Sequence, residues 1–489
     1  MCGVSGRIYY RCKPSKRRMP IGKRHVTASL LSDAIQLQNR GQQATGFVVG
    51  FSYLEQPYVP WKKIGSASAL FGKDSEAKAD TLIKRYKGNL GIVHVRYTTA
   101  GESSNEAAQP HGFKHGGRSV VIASNGDIPL YTKLRRRIVR QYGCRFASKC
   151  DAELIVNLIG VEIFEKGMDE IAAFAQVGST LEGAFSLVGM TPSGKLVGMR
   201  DPWGFRPMFW ARNEDGAMIC SESSVMASEF DEVHEVEPGT LIVISDNGEE
   251  DVSIQRFAPA QPSFCLMEIY YFSQPNSKYK GVSFDELRYR LGEETAREWF
   301  ASGKPIPDIV AAMPFSGGPA AQGFIEGIRK EANTRGRNVV YKNRHGLGRA
   351  FMSKLSDRAD RIRANLDIIP EPVHGKAILL VDDSIVRADQ ARWVCPELRN
   401  RGARAVYYAV TAPPYRFPCF FGLNTPESKL LIAHGRTEAE ILEAVPGLDV
   451  LHYLSLEGSM RVLGDQGFCT ACFTGKYPMP VPNNKREIV

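Results

Sequence analysis

The chain has 489 residues, more than one ordinary hydrophobic core accommodates, so we expect two domains of about 200 residues each. Apolar residues make up 43% and charged residues 24%, which is typical of a soluble globular protein and excludes a disordered chain. No apolar run approaches the roughly 20 residues of a membrane helix, and the N-terminus lacks the apolar stretch of a secretory signal. We therefore expect a cytoplasmic protein without a membrane segment.

The net charge of +9 is concentrated in two basic clusters. One is the acid-free segment 11–24, and the other consists of Lys133, Arg135, Arg136, Arg137 and Arg140. Basic clusters can bind nucleic acids, but neither is interleaved with aromatic residues as in single-strand binders. We interpret both as solvated surface and do not expect a nucleic-acid partner.

Short apolar or alternating runs, broken by Gly, Asn and Asp, occupy the first 255 or so residues. They predict strands at 91–97, 119–123, 184–190 and 240–244, with helical patterns at 29–39 and 152–165. This mixture indicates sheets sandwiched between helices.

The Pro-rich segment 256–263 reads as a linker, and the pattern changes after it. Helices are predicted at 283–301, 319–333 and 390–401, alternating with strands at 309–313, near Val339, at 377–381 and at 405–412. Such alternation predicts a parallel α/β sheet, whose ligands bind at the carboxyl ends of the strands.

The sequence opens Met1-Cys2-Gly3, and the small second residue permits removal of Met1. Cys2 would then carry a free α-amine with a pKa near ~8, which can act as a general base for its own thiol. Such a thiolate attacks a carboxamide and releases ammonia through a thioester. Taken alone, the motif more often marks an ordinary cysteine that happens to fall at position 2.

Four further motifs decide between these interpretations. They are RGQQATG at 40–46, HVRYTT at 94–99, SNGD at 124–127 and SKCDAE at 148–153. With Cys2 they make five elements, and in the order and rough spacing of these elements the chain resembles the class II, N-terminal-nucleophile (Ntn) glutamine amidotransferases.

The resemblance implies a role for each matching residue. Arg96 would clamp the α-carboxylate of glutamine with Tyr97 beside it, and Asp151 would pair with the α-ammonium. The Asn125 side chain and the Gly126 N–H would form the oxyanion hole. Arg40 would support the pocket.

In the second half, Asp382-Asp383 directly follows the apolar strand at 377–381. Two carboxylates at the end of a strand suit ribose hydroxyls or a Mg²⁺ ion. The surrounding segment ILLVDDSIVR resembles the donor signature of type I phosphoribosyltransferases. Together the two halves resemble the amidophosphoribosyltransferase family of purine synthesis over nearly the whole chain, with support from segments 265–277, 342–351, 412–426, 431–437 and 469–478.

Cys265, Cys419, Cys469 and Cys472 fall where some members of this family hold an iron–sulfur cluster. The resemblance implies a structural [4Fe–4S] cluster that ties the C-terminal segment to the second domain. A zinc site and four buried reduced cysteines are the alternatives.

The chain departs from the family in two loops of the acceptor site. The small Gly/Thr loop that receives the 5′-phosphate is replaced by Ala388-Asp389-Gln390, which brings a carboxylate to a phosphate site. The Pro-Asp-Ser-Gly loop appears as Pro314-Phe315-Ser316-Gly317. A ribose- or phosphate-bearing ligand is still favoured by the retained residues Lys342, Arg344, Arg349, Asp382, Asp383 and Ser384.

We therefore predict an αββα Ntn domain at 1–258, a type I phosphoribosyltransferase α/β domain at 264–455, and a C-terminal segment at 456–489 carrying two of the four cysteines. Ammonia would pass from L-glutamine to phosphoribosyl pyrophosphate, with Mg²⁺ on the pyrophosphate, in a homodimer or homotetramer. The alternatives are a paralogue with another ribose- or nucleotide-like acceptor, a nucleotide-binding regulator without transferase activity, and a nucleic-acid-associated protein.

Overall fold

The computed structural model describes residues 1–10, 25–72, 75–97, 104–246, 252–314, 316–329, 332, 334–343, 362, 364–425, 427–465 and 467–482, and the structural statements below refer to these residues. Among them, no helix combines the length and apolar character needed to cross a lipid bilayer. Two halves are joined by residues 257–263, which form neither helix nor strand.

The first half is built on two antiparallel sheets. Its strands are β1 (Gly3–Tyr9), β2 (Ala44–Gly50), β3 (Trp61–Ile64), β4 (Leu90–Arg96), β5 (His111–His115), β6 (Arg118–Asp127), β7 (Ala184–Met190), β8 (Leu196–Arg200), β9 (Phe209–Arg212), β10 (Gly216–Cys220), β11 (His234–Glu235), β12 (Thr240–Ile244) and β13 (Val252–Arg256). The strand orders are β11-β9-β10-β1-β4-β2-β3 and β13-β12-β8-β7-β6-β5. Val4 and Ile92 of the first sheet share one core with Val121 and Val188 of the second, so the sheets pack face to face.

Helices cover the outer faces of this sandwich. They are α1 (Thr27–Gln36), α2 (Ala67–Phe71), α3 (Glu76–Arg85), α4 (Tyr131–Tyr142), α5 (Asp151–Gly160), α6 (Glu170–Thr180) and α7 (Ser223–Met226). Leu30 of α1 and Val93 of β4 belong to one core outside the first sheet. Leu154 of α5, Phe174 of α6 and Ile122 of β6 belong to another core outside the second. The result is the predicted αββα layering.

A parallel sheet organises the second half. The strands in this half are β14 (Phe264–Cys265), β15 (Lys278–Tyr279), β16 (Val282–Ser283), β17 (Ile309–Ala312), β18 (Arg335–Gly336), β19 (Val340–Lys342), β20 (Leu366–Ile368), β21 (Ala377–Asp382), β22 (Ala405–Val410), β23 (Val450–Tyr453) and β24 (Phe468–Cys469). The parallel sheet has the order β18-β17-β21-β22-β23. Every residue of β21 is buried, as expected of a central strand covered on both faces.

The helices of this half are α8 (Phe284–Ala301), α9 (Gly317–Arg329), α10 (Asp389–Asn400), α11 (Glu438–Glu443), α12 (Leu456–Leu463) and α13 (Ala471–Thr474). Trp299 of α8 and Phe324 of α9 share a core with Leu379 of β21. Val394 of α10 belongs to a different core with Leu380, the next residue of β21. Because successive residues of a strand point to opposite faces, the helices cover both sides of the sheet.

Most predicted elements are confirmed to within a few residues, including β7, β12, β21 and α8. The strand expected near Val339 is present as β19, but it pairs antiparallel with β20 instead of joining the parallel sheet. The basic segment 11–24 lies outside the described residues, so the structure says nothing of it.

Candidate functional site

Cys2 lies at the start of β1 and is nearly buried. Its backbone nitrogen donates a hydrogen bond to Asn125 Oδ1 at 3.0 Å, and its Sγ lies 3.6 Å from the carbonyl oxygen of Tyr97. Burial raises the pKa of the Cys2 thiol, while the N-terminal amine, the Tyr97 contact and Arg96 oppose this increase. Met1 precedes it in the structure and is only 1% exposed, so an entire side chain is accommodated beside the thiol.

Among the buried polar groups that have no hydrogen-bond partner in the described part of the chain, three belong to residues that contact Cys2 or act on its charge. They are Asn125 Nδ2 on β6, Arg96 Nη1 at the end of β4 and Asp151 Oδ2 at the first position of α5. A buried polar group without a partner costs free energy of about 1–3 kcal/mol, so a ligand that pairs with these three groups would be stabilised. Two donors and one acceptor match an amide oxygen, a carboxylate and an ammonium.

Asp127 adds a second carboxylate next to Asp151. Burial, and then the negative charge of Asp127, raise the pKa of Asp151 to about 7. Two buried carboxylates that repel each other are stabilised by a cation placed between them. Sequence reasoning did not single out Asp127, although it is the last residue of the SNGD motif and could have been found there.

Gly126 is confined by the strand next to it. A Cβ at this position would lie 1.8 Å from the carbonyl oxygen of Ala184 on β7, so a larger residue does not fit. The backbone of β6 at Gly126, next to Asn125, therefore lies too close to β7 for any residue with a Cβ.

Arg40 is completely buried between the two halves of the chain. Its fully buried guanidinium forms ion pairs with Glu222 at 2.7 Å and Glu268 at 3.0 Å. Because Glu268 belongs to the second half, Arg40 joins the two halves. Tyr97 packs edge-to-face against Phe272, which also belongs to the second half.

A cavity of about 510 Å³ lies at the carboxyl ends of the parallel strands. Its lining includes these predicted acceptor-site residues: Ser316, Lys342, Asp382, Asp383, Ser384, Ala388, Asp389 and Gln390. Asn39 and Tyr97 of the first half line it too, so the cavity extends from the acidic pair to Tyr97, whose carbonyl oxygen is the group 3.6 Å from Cys2 Sγ. Gly317 lies behind the lining at the start of α9, where a Cβ would be 2.5 Å from the Val381 carbonyl oxygen. Arg344 and Arg349 lie outside the described residues.

The acidic pair is buried and fully hydrogen-bonded on its protein side. Asp382 accepts from the Asp383 N–H at 2.9 Å and from the Tyr408 hydroxyl at 2.6 Å. Asp383 accepts from the Ser384 hydroxyl at 2.6 Å. Burial and the neighbouring charge of Asp383 raise the pKa of Asp382 to about 8, and a cation bound beside the pair would oppose this increase.

The altered loop forms the start of α10. Ala388 has a left-handed backbone with φ of 63°, a conformation that favours glycine, and Asp389 is the first helical residue. A helix N-terminus attracts anions, and here the chain supplies its own carboxylate.

The four predicted cysteines converge. Strand β24 pairs in parallel with β14 and places Cys469 opposite Cys265. Cys265, Cys419, Cys469 and Cys472 line one small cavity, and all four thiols are free. Among the described residues, no three His, Cys, Asp or Glu side chains are close enough to hold a single metal ion.

A buried arginine stands beside these thiols. Burial opposes the charged form of Arg206, but the negative charges of Cys265, Glu268 and Cys419 outweigh it and raise the pKa of the guanidinium. Its Nη1 lies 3.6 Å from a carboxylate oxygen of Glu268. Its Nη2 donates to the carbonyl oxygen of Phe421. Sequence reasoning missed Arg206, because nothing in its local sequence indicates contact with residues more than 200 positions away.

Comparisons with known proteins agree with this geometry. Residues 94–228 match the family model described as a glutamine amidotransferase domain. The chain is 33% identical to the amidophosphoribosyltransferase of Archaeoglobus fulgidus over 100% of both chains. It is 36% identical to that of Pyrococcus horikoshii, covering 90% of this chain and 92% of the relative.

Two solved structures superpose over nearly the entire chain. One is described as the allosteric regulatory enzyme of purine biosynthesis, with a TM-score of 0.83, 29% identity, and coverage of 99% and 97% of the two chains. The other is glutamine phosphoribosylpyrophosphate amidotransferase from B. subtilis complexed with ADP and GMP, with a TM-score of 0.81, 29% identity, and coverage of 99% and 98%.

Fold and site together define a class II glutamine amidotransferase whose Ntn half is fused to a type I phosphoribosyltransferase half. The chain belongs to the amidophosphoribosyltransferase family. Its activity is that of a glutamine phosphoribosylpyrophosphate amidotransferase in purine biosynthesis, which is the first of the functions considered from the sequence.

Proposed function

We propose that Cys2, exposed by removal of Met1, is the nucleophile that takes the amide nitrogen from glutamine. The supporting observation is the set of three unpartnered buried groups around it, Asn125 Nδ2, Arg96 Nη1 and Asp151 Oδ2. Arg96 binds the α-carboxylate of glutamine, and Asp151 with Asp127 binds its α-ammonium. Tyr97 and Arg40 hold the wall of this pocket facing the second half.

The reaction begins with proton transfer from the Cys2 thiol to its own α-amine. The thiolate attacks the amide carbon, and the developing oxyanion accepts hydrogen bonds from Asn125 Nδ2 and the Gly126 N–H. When the tetrahedral intermediate collapses, the α-ammonium returns its proton to the leaving nitrogen, and ammonia departs from the thioester. Water then hydrolyses the thioester to glutamate and regenerates the thiol.

Ammonia passes to the acceptor through the cavity that Tyr97 and Asn39 share with Asp382 and Asp383. An internal route keeps ammonia away from bulk water, where protonation would make it unreactive. At the acceptor site it attacks C1 of the ribose, pyrophosphate leaves, and 5-phosphoribosylamine forms.

Asp382 and Asp383 face this cavity and accept hydrogen bonds from the ribose hydroxyls. Ser316, Ser384 and Lys342 supply donors and positive charge for the phosphates, supported by Gly317 and joined by Arg344 and Arg349. The carboxylates also suit Mg²⁺, which when bound neutralises the pyrophosphate leaving group.

The 5′-phosphate binds at the altered loop formed by Ala388, Asp389 and Gln390. Like charges oppose each other here, so we propose that this enzyme binds phosphoribosyl pyrophosphate weakly at this end and relies on the other contacts. Pyrophosphate release, measured with phosphoribosyl pyrophosphate and with its analogue lacking the 5′-phosphate, tests this point. Faster turnover of the analogue would indicate the paralogue with a different acceptor.

The four thiols fit a [4Fe–4S] cluster better than zinc. Each iron of such a cluster takes one cysteine, so the sulfurs surround a space, whereas zinc needs all four within bonding distance of one ion. The four thiols surround one cavity, no three possible ligands among the described residues are close enough to hold a single ion, and the positive charge of Arg206 faces Cys265 and Cys419. The cluster would hold β24 and α13 against the second half.

We further propose that the domains span 1–258 and 264–455, with 456–489 as the cluster-bearing segment. The family resemblance supports a homodimer or homotetramer, which light scattering coupled to size exclusion tests. A thiol nucleophile and a cysteine-bound cluster both require reducing conditions, which supports the cytoplasm as the compartment.

Glutamate release from glutamine, compared between the wild type and Cys2→Ala, tests the proposed function as a whole. Wild-type turnover that disappears in the variant is expected. Equal glutamate release by both proteins would refute the proposal.

A further inference from the structure

Tyr408 lies in β22, the neighbour of the strand that carries the acidic pair. Its hydroxyl donates a hydrogen bond to Asp382 Oδ2 at 2.6 Å, although 26 residues separate them in sequence. The side chain is fully buried, and it lines the acceptor cavity together with Asp382 and Asp383.

The other residues on the same face of β22 are aliphatic, so packing on this face does not explain the Tyr408 hydroxyl. Val406 and Val410 point to the same side of β22 as Tyr408, and both are buried and aliphatic. A buried hydroxyl lowers stability unless it has a partner. The partner here is a single carboxyl group, that of Asp382, and the Tyr408 hydroxyl is the donor.

The second oxygen of Asp382 is held as well. Oδ1 accepts the N–H of Asp383 at 2.9 Å. With one oxygen on the backbone and the other on Tyr408, the carboxylate has one orientation relative to the cavity. Asp383 is held differently, by the Ser384 and Ser316 hydroxyls, so the two acids have separate supports.

We propose that Tyr408 is a positioning residue of the acceptor site, which fixes the Asp382 carboxylate in the orientation that binds the ribose of phosphoribosyl pyrophosphate. This inference rests on the proposed role of Asp382 in ribose binding. Tyr408 acts through Asp382 and takes no part in bond making or breaking.

The variant Tyr408→Phe removes one oxygen atom and keeps the buried ring. We expect the KM and the dissociation constant for phosphoribosyl pyrophosphate to rise about tenfold, the effect of losing a hydrogen bond to a charged group, with kcat changed less than about twofold. Glutaminase activity without phosphoribosyl pyrophosphate should stay near its wild-type value. The midpoint of thermal unfolding should fall by only about a few degrees, the cost of one buried carboxyl oxygen without a donor.

Tyr407→Phe is the matched control. Tyr407 is the adjacent residue of β22, and its ring packs on the opposite side against Trp299, with 6.0 Å between ring centroids. It belongs to a different core and does not line the cavity. This variant should leave the KM for phosphoribosyl pyrophosphate unchanged.

Asp382→Asn separates failure of the inference from failure of the proposed function. If Asp382→Asn leaves KM unchanged, the proposed role of Asp382 is wrong and the inference falls with it. If Asp382→Asn raises KM while Tyr408→Phe behaves like Tyr407→Phe, only the positioning role is overturned. A Tyr408→Phe enzyme with lowered kcat, lowered glutaminase activity and earlier unfolding would also overturn it, because that pattern indicates general structural damage.

Discussion

The side-chain oxygen of Asn125 lies 3.0 Å from the backbone nitrogen of Cys2, although 123 residues separate them in sequence. If Met1 is removed as proposed, that nitrogen becomes the α-amine, and Asn125 would orient the general base through Oδ1 and stabilise the oxyanion through Nδ2. One amide side chain therefore serves both proton transfer and charge stabilisation in the proposed reaction.

Replacing Asn125 by Ala removes both contacts, and kcat for glutamine hydrolysis should fall by about 10²–10³, the usual effect of losing an oxyanion donor. The KM for glutamine should change little, because Arg96 and Asp151 still bind the amino-acid group. Steady-state kinetics of glutamate release measure both constants. A large increase in KM with an unchanged kcat would show that Asn125 binds the ground state instead.

The variant Cys2→Ala should abolish glutamine-dependent synthesis and keep ammonia-dependent pyrophosphate release, since the acceptor site is separate from the thiol. Pyrophosphate assays with glutamine and with ammonium salts at alkaline pH distinguish the two reactions. Cys144→Ala is the control, because this half-buried thiol lies after α4 and should be dispensable. Retention of glutamine-dependent activity in Cys2→Ala would exclude it as the nucleophile.

Glutamine binding should weaken below about pH 7. The pKa of Asp151 is raised to about 7 by burial and by Asp127, so the carboxylate is charged above that pH and attracts the α-ammonium, and it is neutral below. Calorimetric titration of glutamine into the Cys2→Ala variant, above and below pH 7, measures the dissociation constant for glutamine without turnover. A Cys2→Ala, Asp127→Asn double variant removes the negative charge that raises the pKa of Asp151. The pH at which glutamine binding is half lost should therefore be lower in this variant. A midpoint that stays in place would contradict the coupling.

Asp389→Ser should lower the KM for phosphoribosyl pyrophosphate several-fold. The substitution removes a carboxylate from the N-terminus of α10 and supplies a hydroxyl donor in its place. Initial rates at varied phosphoribosyl pyrophosphate concentration give the KM. Glu397→Ser, an acid further along the same helix, is the matched control and should have no effect. An increase in KM for Asp389→Ser would mean that the carboxylate itself contributes to binding.

Purified protein prepared without oxygen should contain about four irons per chain and absorb broadly in the visible range. Cys469→Ser should lose iron and loosen the C-terminal segment, which limited proteolysis detects. Cys395→Ser, a change at a buried thiol of α10 distant in sequence from the set, should keep its iron. One zinc per chain instead of iron would overturn the cluster assignment.

Local sequence predicted the architecture well, because its elements carry local signals. The run AILLV predicted β21, and the helical pattern after Ser283 predicted α8, whose first turn is capped by the Ser283 hydroxyl. The strand near Val339 was found, but its antiparallel partner β20 follows a long interval that gives no indication of pairing.

The partners of individual buried side chains could not be predicted from the sequence. Arg40 carries no local sign that its partners are Glu222 and Glu268, of which the second is 228 positions away. Tyr408 appears in sequence as one more apolar position of a buried strand. Its role depends on the register between β21 and β22, which only the folded chain fixes.

The most direct measurement is the intact mass of the purified chain before and after treatment with an electrophilic glutamine analogue. The account predicts a mass lower by one methionine residue than the encoded sequence, and a single adduct on Cys2 that excess glutamine prevents. A chain that retains Met1 and still hydrolyses glutamine, or an adduct on any other residue, would contradict it.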